Sequence, residues 1–305
     1  MNNDFLTLDF SNVNVDKTLP TISITQILGM LQEPFDKEGI AQKTFEKRFD
    51  DASSEYYQKT VNEIIEMWEK KGTDSCHYGS LLDNYIGFNL TGQPHDVQLF
   101  KLENHFNEDL RLQGLCESFD NFYKILSKSG DMIFVDRERT IYHTIEITDP
   151  DDPNRKITYN IKGRFDALFY NKRTKKWIVI DWKSSGTIDK VPNRWTKKLF
   201  APMANYPALN WYTYTTQLYY YKHALVDDGY LPKGTTYDDV IVMIVNLSGK
   251  NIEGTQLNYA THQAAYPFDP NLMQQLYIFG ALHDYNERKD QINQTEELKL
   301  LEEIF

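Results

Sequence analysis

Between residues 132 and 183 the apolar and polar positions alternate in short runs rich in β-branched and aromatic residues, whereas the stretches on either side repeat with a helical period. Met132 to Val135, Thr140 to Thr148, Ile157 to Lys162, Arg164 to Tyr170 and Trp177 to Lys183 predict strands, with polar turns at 149–153 and 171–175. Trp177-Ile178-Val179-Ile180 is apolar on both parities, as in a central strand covered on both faces, and Val240 to Val245 predicts a second buried strand. Upstream, Thr21 to Thr25 offers capping hydroxyls ahead of an Ile27, Leu28, Leu31 stripe. Tyr56 to Lys70 carries Val61, Ile64, Ile65 and Trp68 at helical spacing and is expected to stop at Gly72; a shorter helix opens at Gly79 and runs to Ile86. Phe106 to Leu126 predicts a further helix. Residues 184–209 show no period and contain Gly186, Pro192, Pro202 and Pro207, which predicts a long functional loop. A helix from Asn210 to Val226, stopped by Gly229, and mostly helical segments from Pro270 to Glu303 complete the pattern.

Together these elements predict an α/β fold: a central mixed β-sheet, from strands 132–183 and 239–247, flanked by helices. One domain is expected over 1–305, with a helical part about 20–128, a β-rich core about 130–250 and a helical part about 268–303. No run approaches 18 apolar residues, and Met1-Asn2-Asn3-Asp4-Phe5 lacks the basic-then-apolar order of a signal peptide, so a cytoplasmic protein with no membrane partner is expected. Cys76 and Cys116 stand outside any CxxC, which argues against a disulfide framework or a zinc site.

The net charge of -11 disfavours a polyanionic partner until its distribution is considered. Residues 154–198 hold thirteen Lys or Arg against three Asp, a local charge of +10, so the remainder carries -21. Within that segment, Gly163-Arg164-Phe165-Asp166 and Asp181-Trp182-Lys183 lie on strands that a tight turn folds into an antiparallel hairpin. Asp166 and Asp181 then face each other, and the strand period puts Asp181 and Lys183 on one face with Trp182 on the other. Two carboxylates and an ammonium at the end of an apolar strand suit a divalent cation of the hard type, Mg²⁺ or Mn²⁺. Downstream, Gln217 and Tyr221 are i and i+4 on one helix face.

In Gly163-x-x-Asp166, Asp181-x-Lys183 and Gln217-x-x-x-Tyr221, in that order, the chain resembles the PD-(D/E)XK nuclease superfamily, in the RecB-like branch that includes phage exonucleases of the lambda type. The resemblance implies a restriction-endonuclease-like core and an exonuclease-like deoxyribonuclease of DNA replication, recombination or repair, compatible with a phage-encoded enzyme in the host cytoplasm. It implies that Asp166 and Asp181 bind the metal, that Lys183 orients the attacking water and steadies the phosphorane, and that Gln217 and Tyr221 hold the site and the nucleic-acid strand. It also implies an upstream helix with Gly-x-x-x-His or an acid in the His position; Asp83, four residues after Gly79, answers to it as a third ligand, with His77 as its rival. Arg164, Lys190, Arg194, Lys197 and Lys198 are the expected DNA contacts, single- or double-stranded.

Structural roles stand beside these. Asp166 and Asp181 could form a cross-strand ladder with Lys183 and Arg164, and Gln217 and Tyr221 could belong to the stripe of Leu218, Ala224 and Leu225. Tyr206, Trp211, Tyr212, Tyr214, Tyr219 and Tyr220 could stack on bases or only pack. The functional alternative is a catalytically silent nucleic-acid- or protein-binding module on a nuclease-like fold.

Overall fold

The alternating runs after residue 131 join into two long strands, β2 (Met132–Thr148) and β3 (Lys156–Asn171), followed by β4 (Lys176–Lys183). The computed structural model describes Leu8, Phe10 and residues 13–184, 187–250 and 258–304; Gly186 lies outside the described residues. The other elements are β1 (Thr21–Ser23), α1 (Ile24–Met30), α2 (Lys37–Arg48), α3 (Val61–Leu90), α4 (Pro94–Glu103), α5 (Leu110–Ser127), α6 (Asn210–Asp227), β5 (Val240–Leu247), β6 (Tyr259–His262) and α7 (Pro270–Ile304). Six strands form one mixed sheet. The pairs β2–β3, β3–β4 and β5–β6 are antiparallel, whereas β1–β3 and β4–β5 are parallel.

Helices cover both faces, as the doubly apolar β4 requires. Val179 and Trp177 pack with Leu218, Tyr220 and Tyr221 of α6 and with Leu276 and Tyr277 of α7. On the opposite face, Ile178 and Ile180 pack with Leu82, Tyr85 and Ile86 of α3 and with Leu115, Phe119 and Phe122 of α5. Among the described residues no helix is long and apolar enough to cross a membrane.

Several elements differ from the sequence expectation. Gly72 does not end a helix and Gly79 does not begin one, because α3 runs unbroken for 30 residues. Its two ends are buried through Ile64 and through Leu82 to Leu90, while the middle is mostly solvated and shows no apolar stripe. Two docked ends outweigh the roughly 1 kcal/mol that a helical glycine costs relative to Ala. The helices α2 and α4 bury one side chain each, Ala41 and Phe100, too little to print a period on the sequence. The strand β1 has only three residues, and Ser23 then caps α1 through a reciprocal pair with Gln26.

One feature of the sheet positions the site. Along one edge β3 pairs with β1 at residues 160–162 and with β4 at 167–171. Neither strand pairs with 163–166, the segment that holds Gly163 and Asp166. This break opens the sheet beside the end of β4.

Candidate active site

The register that pairs Ala167 with Ile180 would next set Asp166 against Asp181, but there the strands part. The Asp166 carboxylate bridges the opening, its Oδ2 accepting the Trp182 amide at 2.7 Å in place of a ladder carbonyl. Trp182 turns the other way and packs edge-on against Phe119 and Phe122. Asp181 is 2% exposed. Lys183 Nζ donates to its Oδ1 at 3.0 Å and lies 2.8 Å from its Oδ2, although the latter contact lacks hydrogen-bond geometry and leaves Oδ2 without a hydrogen-bond partner. The Lys183 ammonium also sits 4.4 Å from the centre of the Tyr214 ring on α6.

Asp166, Lys183 and Trp182 open into a cleft of about 570 Å³ that is walled by α3 through Cys76, Gly79, Ser80 and Asp83. Thus α3 presents Gly79 and Asp83 to the hairpin from its C-terminal half rather than from a helix start. His77 is exposed and does not line the cleft. Asp83 Oδ2 is held by Arg137 Nη2 at 2.9 Å, and Arg137 lies 3.3 Å from Glu138. Glu138 was not anticipated. It lines the cleft at the β2 position opposite Asp166, between the pairs Arg137–Ala167 and Arg139–Phe165, with a positive φ of 47°. A charged residue on a long strand gives no sequence signal for that backbone, which costs on the order of 1 kcal/mol or more. Arg137, one more charged residue on a long strand, carries no sequence signal of its role, and it fits because Gly87 of α3 has no Cβ: one would lie 1.3 Å from Arg137 Nη1.

Gly163 is explained by packing. A Cβ there would fall 2.5 Å from Tyr220 Cε1 and 2.8 Å from Tyr221 Cε1. Tyr221 comes that close to donate its hydroxyl to the Arg164 carbonyl at 2.7 Å, and Gln217 Nε2 donates to the same hydroxyl at 2.8 Å. Tyr220 donates to the carbonyls of Ile161 and Ile141. Gln217 and Tyr221 therefore brace the segment of β3 that neither β1 nor β4 pairs, and they do not line the cleft. Tyr219 and Tyr220 are buried, and Tyr206 and Tyr212 stack on Tyr266, so these four aromatics are packed.

The concentrated basic segment does not form one surface. The 16-residue β3 spans about 50 Å at a strand rise of 3.3 Å, so Arg155 and Lys156 stand at one end and Lys172 to Lys176 at the other. Arg164 lines the cleft, 63% exposed, 3.6 Å from Glu138. Lys190 lies over Trp211, Arg194 over Trp195, Lys197 pairs with Glu33, and Lys198 lines a second groove with Lys197.

Burial, and then the neighbouring Asp181, raise the Asp166 carboxyl well above the usual carboxylate range. Burial also raises Asp181 despite Lys183. Burial by itself would lower Lys183, but Asp181 and Asp166 outweigh it and hold the ammonium charged. Two buried carboxylates thus share one ammonium: with both ionised one negative charge is in excess, and the raised Asp166 carboxyl relieves it by holding a proton up to about neutral pH. Asp83 is raised by burial against the pull of Arg137. Asp166→Asn, which keeps an acceptor for the Trp182 amide, is accordingly expected to melt several degrees above the metal-free wild type at pH 8. Because the native carboxyl titrates above its unfolded value near 4, the cost of its charge grows as pH rises through the native value and vanishes below about pH 4. Calorimetric scans at pH 8 and pH 4 check this; an equal gain at both would assign it to packing.

Among the described residues no three His, Cys, Asp or Glu side chains are grouped to hold one metal ion. Asp166 and Asp181 nevertheless fit a divalent cation: they are hard oxygen donors whose joint ionisation exceeds the charge of Lys183, and Asp181 Oδ2, beside that ammonium, is buried without a hydrogen bond. Asp83 can join them only by exchanging its Arg137 partner. No family model matches the chain, and no curated protein matches it.

Proposed function

We propose that the protein is a Mg²⁺- or Mn²⁺-dependent deoxyribonuclease, exonuclease-like, with a PD-(D/E)XK core of the restriction-endonuclease type. The observation that carries this reading is the buried Asp166–Asp181 pair with Lys183 at the parting of β3 and β4, reached from a cleft of about 570 Å³ that Asp166 and Lys183 line and behind which Asp181 is buried. Asp166 and Asp181 would hold the metal, with Asp83 as a third ligand. When bound, such an ion supplies Lewis acidity toward a phosphoryl oxygen and lowers the pKa of a coordinated water.

The remaining work falls to this chain. The Trp182 amide fixes one oxygen of Asp166 and so orients the other. Lys183, kept protonated by both carboxylates, offers a fixed positive charge where the phosphorane develops. Gln217 and Tyr221 hold the Arg164 carbonyl, which keeps the broken edge of β3 in place while the exposed Arg164 guanidinium can reach a phosphate. The test is digestion of linear and covalently closed circular DNA with Mg²⁺ or Mn²⁺, against EDTA. Loss of linear DNA with either metal, none in EDTA and survival of the closed circle are expected. Inertness toward both forms with either metal would refute the reading and leave a binding module.

A further inference from the structure

A second groove, of about 600 Å³, runs between the α1–α2 connection and the loop after β4. One wall carries Pro34, Phe35, Ile40 and Lys43, and the other carries Trp195, Lys197 and Lys198. Its two large rings are unusually open for their size, Phe35 at 67% and Trp195 at 76% exposed. Phe35 packs on Trp68 and Trp195 carries the Arg194 guanidinium, so each ring offers the groove its remaining open surface. The surrounding charge is cationic in effect. Asp36 is occupied as the cap of α2, accepting the Gly39 amide, and Glu33 is neutralised by Lys197. Among the described residues Lys43, Arg194 and Lys198 show no ion pair, and the Arg194 guanidinium lies 4.5 Å from the Trp195 ring centre.

We propose that this groove binds a single strand of nucleic acid, with bases stacked on Trp195 and Phe35 and phosphates met by Lys43, Arg194 and Lys198. Aromatic faces flanked by cations suit unpaired bases, because a duplex keeps its base faces covered. The groove also has a fixed relation to the cleft. Phe35 packs on Trp68 of α3, and Gly79 of the same helix lines the cleft. Eleven residues of helix, about 16 Å at 1.5 Å per residue, separate Trp68 from Gly79. The assignment of this strand as substrate rests on the nuclease reading; its binding to the groove does not.

The experiment is fluorescence anisotropy of labelled oligo(dT) of twenty nucleotides, and of a blunt duplex of equal length, in EDTA so that nothing is cut. Trp195→Ala is expected to weaken oligo(dT) binding about tenfold or more, Trp195→Phe to restore most of it, and duplex binding to change less than about threefold. Both variants alter an exposed ring, so the fold should survive, and circular dichroism verifies it. Unchanged oligo(dT) affinity in Trp195→Ala would overturn the proposal, and so would an equal loss for duplex, which would make the groove a duplex track. Mn²⁺-dependent cleavage by the Asp166→Asn variant, measured in parallel, separates the two readings: wild-type cleavage there refutes the nuclease site and leaves the groove standing.

Discussion

Asp181→Asn is expected to lower metal-dependent DNA cleavage by at least about 10²- to 10³-fold, the loss typical of removing one preorganised electrostatic group from a transition state. The side chain is isosteric and 2% exposed, so packing changes little. What disappears is the charge shared by Lys183 and the proposed metal. Lys183→Ala should be equally inactive but should report differently on stability. Without the ammonium, Asp166 and Asp181 are two buried carboxylates with no counter-charge between them, and removing one partner of a buried pair costs about 3–5 kcal/mol. The double variant Lys183→Ala with Asp181→Asn should therefore regain much of that stability while remaining inactive. Cleavage rates of purified proteins, with melting curves alongside, check both parts; wild-type cleavage by a folded Asp181→Asn protein would dismiss the site.

Gly163→Ala is expected to be a disruptive single-methyl change at the site, because its clash is with buried rings rather than with the end of a flexible side chain. The added Cβ would meet two buried tyrosine rings at 2.5 and 2.8 Å, and neither ring can retreat without breaking a hydrogen bond to β2 or β3. Overpacking of this kind costs about 1–3 kcal/mol, which at roughly 2–4 °C per kcal/mol predicts a fall in Tm of several degrees. Gly79→Ala makes the contrasting control. Its Cβ would meet only Ser184 Oγ, at 3.8 Å, so the change should leave Tm level or raise it through better helix propensity. Equal melting of wild type and Gly163→Ala would mean that Tyr220 and Tyr221 do not depend on that close approach.

The hairpin of β3 and β4 was legible in the chain because its information is local. A tight turn, period-two alternation and the doubly apolar Trp177 to Ile180 run specify which residues pair and which faces they share. That register brings Asp166 and Asp181 to the end of the hairpin, although the ladder stops at Ala167–Ile180 and Asp166 reaches across only through the Trp182 amide. The helix of Gln217 and Tyr221 was legible for the same reason, through its 3.6-residue stripe.

What lies across the sheet was not legible. A resemblance could number Asp83, yet only the folded chain pairs it with Arg137 and sets Glu138 opposite Asp166. The concentration of Lys and Arg in residues 154–198 looked like one surface, whereas a long strand carries its ends about 50 Å apart and disperses them. By itself the sequence determined the α/β class, the β3–β4 hairpin and the placement on it of two carboxylates and a lysine, because short-range periodicity and turn chemistry encode them. The tertiary structure alone decided that β3 is shared between β1 and β4 with 163–166 paired to neither, that α3 is one helix whose C-terminal half walls that opening, and that Phe35 and Trp195 line one groove. Those arrangements depend on contacts between residues far apart in the chain, and no local period records them.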